Sequence, residues 1–381
     1  MEWQGHHSRE IMSHPADRTV LVLLHERVLG GATLSLLGTI PLLRERGWRF
    51  LFWVATPSPL RDELERRGLE AHGAPRPVGY SIRTLRLPPG PGRRTMQVPA
   101  YFGGLATLVR ERRPALVHAN SLFTLAEAAA ARAAGGRVLL HLHELVPDGW
   151  KGRLARMSSR LVARERIAVS AASARTLGTD GVRVVYGGVQ LPEHPADVRP
   201  YPSPFVVGTV GPISRNKGSD VFVDAAGKVL AERDGVAFRM IGALRDPLEP
   251  EWGRRVVERA RSLGIEHREQ GDLAAELPRW DAFVLPSRID AFPGAVLNAM
   301  ALGLPVIGAR TGGIPEQVGA DAGLVVEPRA DAIAAAILEL SGAPAARRAA
   351  MGAAGRRRVA ERFTVDRQAE GLEAAYRAVA G

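Results

Sequence analysis

The sequence contains no cysteine. That excludes disulfides, thiolate zinc ligands and a thiol nucleophile, and it fits a reducing compartment. Lysine is scarce as well: of 51 basic side chains only Lys151, Lys217 and Lys228 are lysines. Aromatic residues make up 6% of the chain, and no aromatic-lined platform of the kind nucleic-acid binders use can be picked out. No uninterrupted apolar run approaches the ~18 residues that a membrane-spanning helix needs. Residues 1–17 have no apolar stretch of the signal-peptide kind and read as a disordered leader, the His6–His7 pair included. No Asp-x-Asp pair suited to a metal-bound diphosphate is present.

What remains is an ample supply of core and an uneven charge. Hydrophobic residues make up 46% of 381 positions, enough for two domains of ordinary size. The formal charge of +11 is carried by one half: residues 1–194 hold 27 basic against 16 acidic side chains, and residues 195–381 hold 24 of each. A basic half suits an anionic partner, whether phospholipid or a phosphate-bearing acceptor; a solvated surface in an arginine-rich chain is the plainer reading.

From Thr19 onward short apolar runs alternate with longer amphipathic ones, the pattern of βαβ units and parallel sheets. In the first half the spacing predicts strands over 19–24, 49–54, 116–120, 138–143, 167–170 and 182–186, with helices over 34–46 and 122–134. Residues 190–204 carry five prolines and no periodicity, so they read as an interdomain linker and hinge. Beyond it, strands are expected over 205–210, 237–241, 282–285, 305–308 and 323–326, with helices over 219–232 and 251–263 and a helical, arginine-rich end from about 345. The resulting division is a leader 1–17, a first α/β domain 18–192, a linker 193–204, a second α/β domain 205–362, and a terminal helix 363–381 packing back toward the first domain.

Parallel sheets bind ligands beyond the carboxyl ends of their strands, so the loops there are the candidates. Gly30-Gly31 lies between the first strand and a helix, where close backbone approach and free N–H groups suit an anion, although ordinary turns use the same pair. His143 stands at the end of LLHLHE, on the same strand face as His141; a structural histidine is the alternative. The glycine-rich loop GPISRNKGSD offers Arg215 and Lys217 before a helix start, a fitting diphosphate site. A lysine there stands out against the arginine background. The densest segment is PSRIDAFPGAVLNAMALGLPVIGARTGGIPEQV. Its Asp290 can accept bonds from sugar hydroxyls, Phe292-Pro293-Gly294-Ala295-Val296 form a helix start, and Asn298 lies on the first turns.

Taken in order, these segments resemble the retaining glycosyltransferases of family 4, with GT-B architecture: two Rossmann-like domains whose parallel sheets face a central cleft. The resemblance runs from about Thr19 to the C-terminus and is strongest in the second half. Three departures are visible: Asp290 and Asn298 stand where the family has two glutamates, and Pro212 stands where an arginine is expected after Gly211. The resemblance implies transfer of a sugar from a nucleoside diphosphate to a hydroxyl acceptor, with no metal and no other cofactor. It implies that His143, Asp290 and Lys217 serve the chemistry. Gly30, Gly31, Arg215, Lys217, Phe292, Pro293, Gly294, Ala295, Val296 and Asn298 would hold the donor. A silent nucleotide-sugar-binding homologue and a GT-B nucleotide-sugar epimerase are the alternative readings. The acceptor is expected to meet variable loops of the first domain around 78–97, and cell-envelope polysaccharide synthesis is the expected setting. The expected location is the cytoplasm. Peripheral attachment to the inner membrane face enters through residues 150–168, read as a basic amphipathic helix that either lies on lipid or packs on its own domain; no nucleic-acid partner is expected.

Overall fold

The computed structural model describes residues 18–75, 93–178, 180–197, 199, 204–244 and 249–381. The leader, most of the 78–97 loop and part of the linker lie outside the described residues. Among the described residues thirteen strands form two all-parallel sheets. The first holds β1 (Thr19–Leu23), β2 (Arg49–Thr56), β3 (Glu70–Pro75), β4 (Leu116–Ala119), β5 (Val138–Leu142), β6 (Glu165–Ala168) and β7 (Val182–Val184), in the order β3-β2-β1-β4-β5-β6-β7. The second holds β8 (Phe205–Val210), β9 (Val236–Ile241), β10 (Glu266–Arg268), β11 (Ala282–Leu285), β12 (Val306–Ala309) and β13 (Gly323–Val326), in the order β10-β9-β8-β11-β12-β13.

Both sheets are doubly wound and are covered by helices on both faces, so their central strands are continuous apolar runs. Alternate residues of β1 feed opposite cores: Val20 and Val22 pack with Leu36, Phe52 and Leu372, while Leu21 and Leu23 pack with Trp53 and Tyr101. The strand order reverses between β1 and β4 in the first sheet and between β8 and β11 in the second. Those two crevices are where such folds place ligands.

Two strands escaped the sequence reading, β3 (EAHGAP) and β10 (EHR). Each is an edge strand, and edges are kept short, charged or interrupted by glycine and proline, which removes the apolar signal. The 122–134 helix begins as a 3-10 turn, Leu122–Thr124, capped by Ser121. The expected amphipathic helix over 150–168 is corrected: it ends at Val162, and Glu165–Ala168 is strand β6, paired on both sides within the first sheet. Among the described residues no helix is long and apolar enough to cross a membrane.

The chain passes between the domains twice. Helix Val365–Ala380 leaves the second domain and buries Leu372, Tyr376 and Val379 in the core of the first. The two passages pair where Val189 N–H donates to the Phe363 carbonyl (2.9 Å) and Val365 N–H donates to the Val189 carbonyl (3.2 Å).

Candidate functional site

In the second domain the site is built at the switch point. Strand β8 delivers the 214–218 turn, and β11 delivers the Ser287–Asp290 loop. Lys217 lays its methylenes 3.7 Å from the position a Gly211 Cβ would take and places Nζ 2.5 Å from Asp290 Oδ2. Ser287 Oγ donates to the same oxygen at 3.2 Å. Asp290 is buried, and its partner lysine is partly open to the cleft.

Arg288, absent from the sequence reading, joins the two loops. Its guanidinium donates to Asp220 at 2.7 and 2.8 Å and to the Arg215 carbonyl at 2.9 Å. The Asn216 carbonyl accepts from the Arg288 and Ile289 N–H groups. Burial alone would raise the Asp220 carboxyl; the bonds and charge of Arg288 outweigh it and hold Asp220 below the usual range. The Lys217 loop is thus fixed to the Asp290 loop before any ligand arrives.

The remaining candidates are placed unevenly. Arg215 donates to Glu249 at 2.5 Å and stacks 4.9 Å over Trp252, away from the Lys217–Asp290 pair. Phe292 lies in the seam between domains, 5.2 Å from the Tyr186 ring and 5.4 Å from Phe363. Pro293 caps helix Gly294–Ala301. Val296 is buried and its N–H goes to the Pro293 carbonyl at 3.2 Å. The Gly294 and Ala295 N–H groups take no acceptor among the described residues, and neither does the half-buried Asn298 side chain.

The first domain builds the facing wall from the ends of β1, β4 and β5. His143 follows β5, with Nε2 3.1 Å from Asn120 Oδ1 beyond β4. Its ring stands 4.0 Å from His141, which in turn lies 3.2 Å from His118. Burial, with the neighbouring His25, pushes His143 down to about 3, so the imidazole is neutral at neutral pH. Glu144 accepts from Ser121 Oγ and from the Leu122 and His143 N–H groups, and burial raises its carboxyl.

Gly30-Gly31 is occupied in a way the sequence did not reveal. The Glu26 carboxyl folds back onto the start of helix Gly31–Glu45, accepting from Thr33 Oγ and from the Gly30 and Thr33 N–H groups. Burial raises its pKa. The chain's own carboxyl fills the anion position that a phosphate was expected to take. Asn120 is a further group missed; its Nδ2 is buried without a partner beside His143.

The walls meet around the turn after β12. Gly312 has φ +51 and packs on the Asp290 carbonyl, where a Cβ would collide, and Leu145 Cδ1 stands 3.3 Å from that position. Leu145 is two residues past His143, so His143 and Asp290 lie on loops that converge on one cleft.

Two Rossmann-like domains that present their switch points to a shared cleft define the GT-B architecture of nucleotide-sugar glycosyltransferases. Two family models match the chain: "Glycosyl transferase 4-like domain" over residues 30–186 and "Glycosyl transferases group 1" over residues 204–342. The chain is 31% identical over 296 residues to the D-inositol 3-phosphate glycosyltransferase of Segniliparus rotundus, spanning 72% of this chain and 64% of that one. It is 28% identical over 351 residues to the 2-deoxystreptamine N-acetyl-D-glucosaminyltransferase of Streptomyces fradiae, spanning 80% of each. The chain spans between 45% and 64% of the length of the first curated relatives it matches. Its fold is similar to that of Anabaena Alr3699/HepE in complex with UDP and glucose, with a TM-score of 0.77, 19% identity, and 93% and 98% of the two chains covered. The two models together match most of the chain, which belongs to the group 1 glycosyl transferase family with a 4-like first domain.

Proposed function

We propose that the protein transfers a sugar from a nucleoside diphosphate to an acceptor hydroxyl with retention of configuration and without a metal. The observation that carries this is the Lys217–Asp290 pair, 2.5 Å apart at the switch point of the second sheet, beside the unspent Gly294 and Ala295 N–H groups. As the bond from the sugar to the diphosphate opens, negative charge grows on the leaving oxygens. Lys217 and that helix start supply preorganised positive charge in the position a metal would otherwise fill. Asp290 and the neutral His143 hold sugar hydroxyls, and Asn298 reaches toward the ribose. UDP in the Anabaena structure supports a donor of this class. The acceptor enters against the first domain, whose positive excess favours a phosphate-bearing or lipid-linked molecule. The lack of cysteine fits action in the cytoplasm, where such donors are used.

The test is a metal-free thermal-shift series with UDP, GDP, ADP and their sugar conjugates, on wild type and Lys217→Ala. A ligand at 100 times its dissociation constant stabilises by about 2.7 kcal/mol. One nucleotide should stabilise the wild type and not the variant. If no nucleotide stabilised either, donor binding would be ruled out. A second reading, a silent nucleotide-sugar binder, is favoured by the departures from the family pattern at Pro212, Asp290 and Asn298. Acceptor-dependent turnover of the bound donor excludes it.

A further inference from the structure

Nine large hydrophobic side chains stand exposed among the described residues, and four of them belong to the single helix Trp150–Val162: Trp150 (59% exposed), Leu154 (43%), Met157 (56%) and Leu161 (67%). At ~100° per residue these four fall within an arc of about 60°. The core-facing residues Gly152, Ser159 and Val162 are buried on the opposite side. The helix is therefore fully anchored by one face, and Arg156 secures it further by donating to the Thr176 carbonyl at 3.0 Å. The second apolar face is surplus to folding. An exposed apolar face of this kind signals a partner.

Charge identifies that partner. Residues 149–164 carry Lys151, Arg153, Arg156, Arg160 and Arg164 and no acidic side chain. Lys151, Arg153 and Arg160 are exposed beside the apolar row, and Lys151 lies 5.7 Å over the Trp150 ring. A basic helix with an interfacial tryptophan and an apolar stripe fits the headgroup–acyl boundary of an anionic bilayer. We propose that this face seats the protein on an anionic membrane surface.

The position of the helix gives the attachment a purpose. Its first residue lies seven positions after His143, no more than about 25 Å of extended chain. Seating the face would therefore bring the first-domain wall of the cleft to the bilayer, where an acceptor hydroxyl on a lipid could reach it. That consequence rests on the transfer reading; the attachment itself does not.

Vesicle co-sedimentation tests the attachment without donor or acceptor. Wild type should sediment with equimolar phosphatidylglycerol–phosphatidylcholine vesicles at low ionic strength and not with pure phosphatidylcholine. Leu154→Ser/Met157→Ser/Leu161→Ser should lower partitioning on the order of ten-fold, and so should Arg153→Glu/Arg160→Glu. Both variants should keep the wild-type melting midpoint, since every changed side chain is exposed. A shifted Trp150 emission on binding, lost in Trp150→Phe, gives a second readout. The proposal fails if wild type ignores anionic vesicles. It also fails if the triple serine variant binds as wild type does, or if the face instead joins two copies of the chain in light scattering without lipid binding.

Discussion

A methyl group at Gly30 would occupy the space that the Glu26 carboxyl fills. The glycine is needed there for close approach, since its φ of −108° is open to any residue. The N-cap of the helix beginning at Gly31 is Gly30, which offers no side-chain cap, and Glu26, four residues before it, supplies the missing acceptor. Gly30→Ala should displace the carboxyl and leave the Gly30 and Thr33 donors unpaired, at about 1–3 kcal/mol. Thermal denaturation of Gly30→Ala and of Glu26→Ala/Gly30→Ala checks this. The double variant should cost little more than Glu26→Ala alone, whereas additive losses would mean that the two residues do not interact. Residues of this kind set the limit of sequence reading. Lys217 and Asp290 could be singled out in the sequence because a rare lysine precedes a helix start and the acid stands in the loop after a strand. Glu26 and Arg288 could not. Glu26 looks like any charged loop residue until the chain folds back on it, and Arg288 has no compositional contrast among so many arginines.

Strands β4 and β5 carry the next level of organisation. Alternation along β5 was enough to place His141 and His143 on one side, but His118 on β4 completes the stack and meets Tyr376, 258 residues away, at 2.8 Å. No local pattern reports such a meeting. His118 and His141 have no solvent exposure. Burial lowers both, and the neighbouring His143 adds to the effect; His118 is pushed down to about 3 and His141 lies well below its usual value. In the unfolded chain these groups take up protons near pH 6.5, and in the folded chain they do not. Their contribution is therefore present above pH 6.5 and is lost as pH falls toward the folded values. At pH 5 the buried His118 ring should cost about 2 kcal/mol relative to neutral pH, and His141 acts in the same direction. Glu26 and Glu144 act in the opposite direction, because burial raises both; their contribution is lost as pH rises through the raised values. With three histidines against two carboxyls, the melting midpoint should drop between pH 7 and pH 5. His118→Asn should flatten that slope. A midpoint that held constant or rose on acidification would show that the histidines are charged or solvated in the folded chain.

Among the contacts between the two domains at the scale of the whole molecule, that of Glu316 is suited to control closure. Glu316, on the short helix after β12, extends its carboxylate into the first domain. There it accepts from the Ala171 and Ala172 N–H groups at 2.8 and 2.6 Å and from the Tyr186 hydroxyl at 3.2 Å. Ala171 opens helix Ala171–Leu177, and Ser170 Oγ already accepts from Ser173 N at 3.0 Å. The second domain thus completes the N-terminal cap of a helix in the first. Burial and the Glu316 charge both raise Tyr186, so the phenol stays protonated and continues to donate. Hydrogen bonds to a charged group contribute about 1.5–3 kcal/mol each, enough to move a two-state closure equilibrium by an order of magnitude or more. The covalent passages at Val189 and Thr364 would keep the domains tethered after this contact was lost, so opening need not unfold either domain. Glu316→Ala should therefore leave the melting of each domain nearly intact while increasing the radius of gyration in small-angle X-ray scattering. Glu316→Gln, which keeps the acceptor oxygen and loses the charge, should fall between. The open population also weakens apparent donor affinity, because the closed cleft must be re-formed on binding, and a saturating nucleotide should return Glu316→Ala to the wild-type dimension. An unchanged radius of gyration in the ligand-free Glu316→Ala protein would mean that closure is set by the Tyr186–Phe292–Phe363 aromatic seam instead, and that Glu316 serves only to cap a helix.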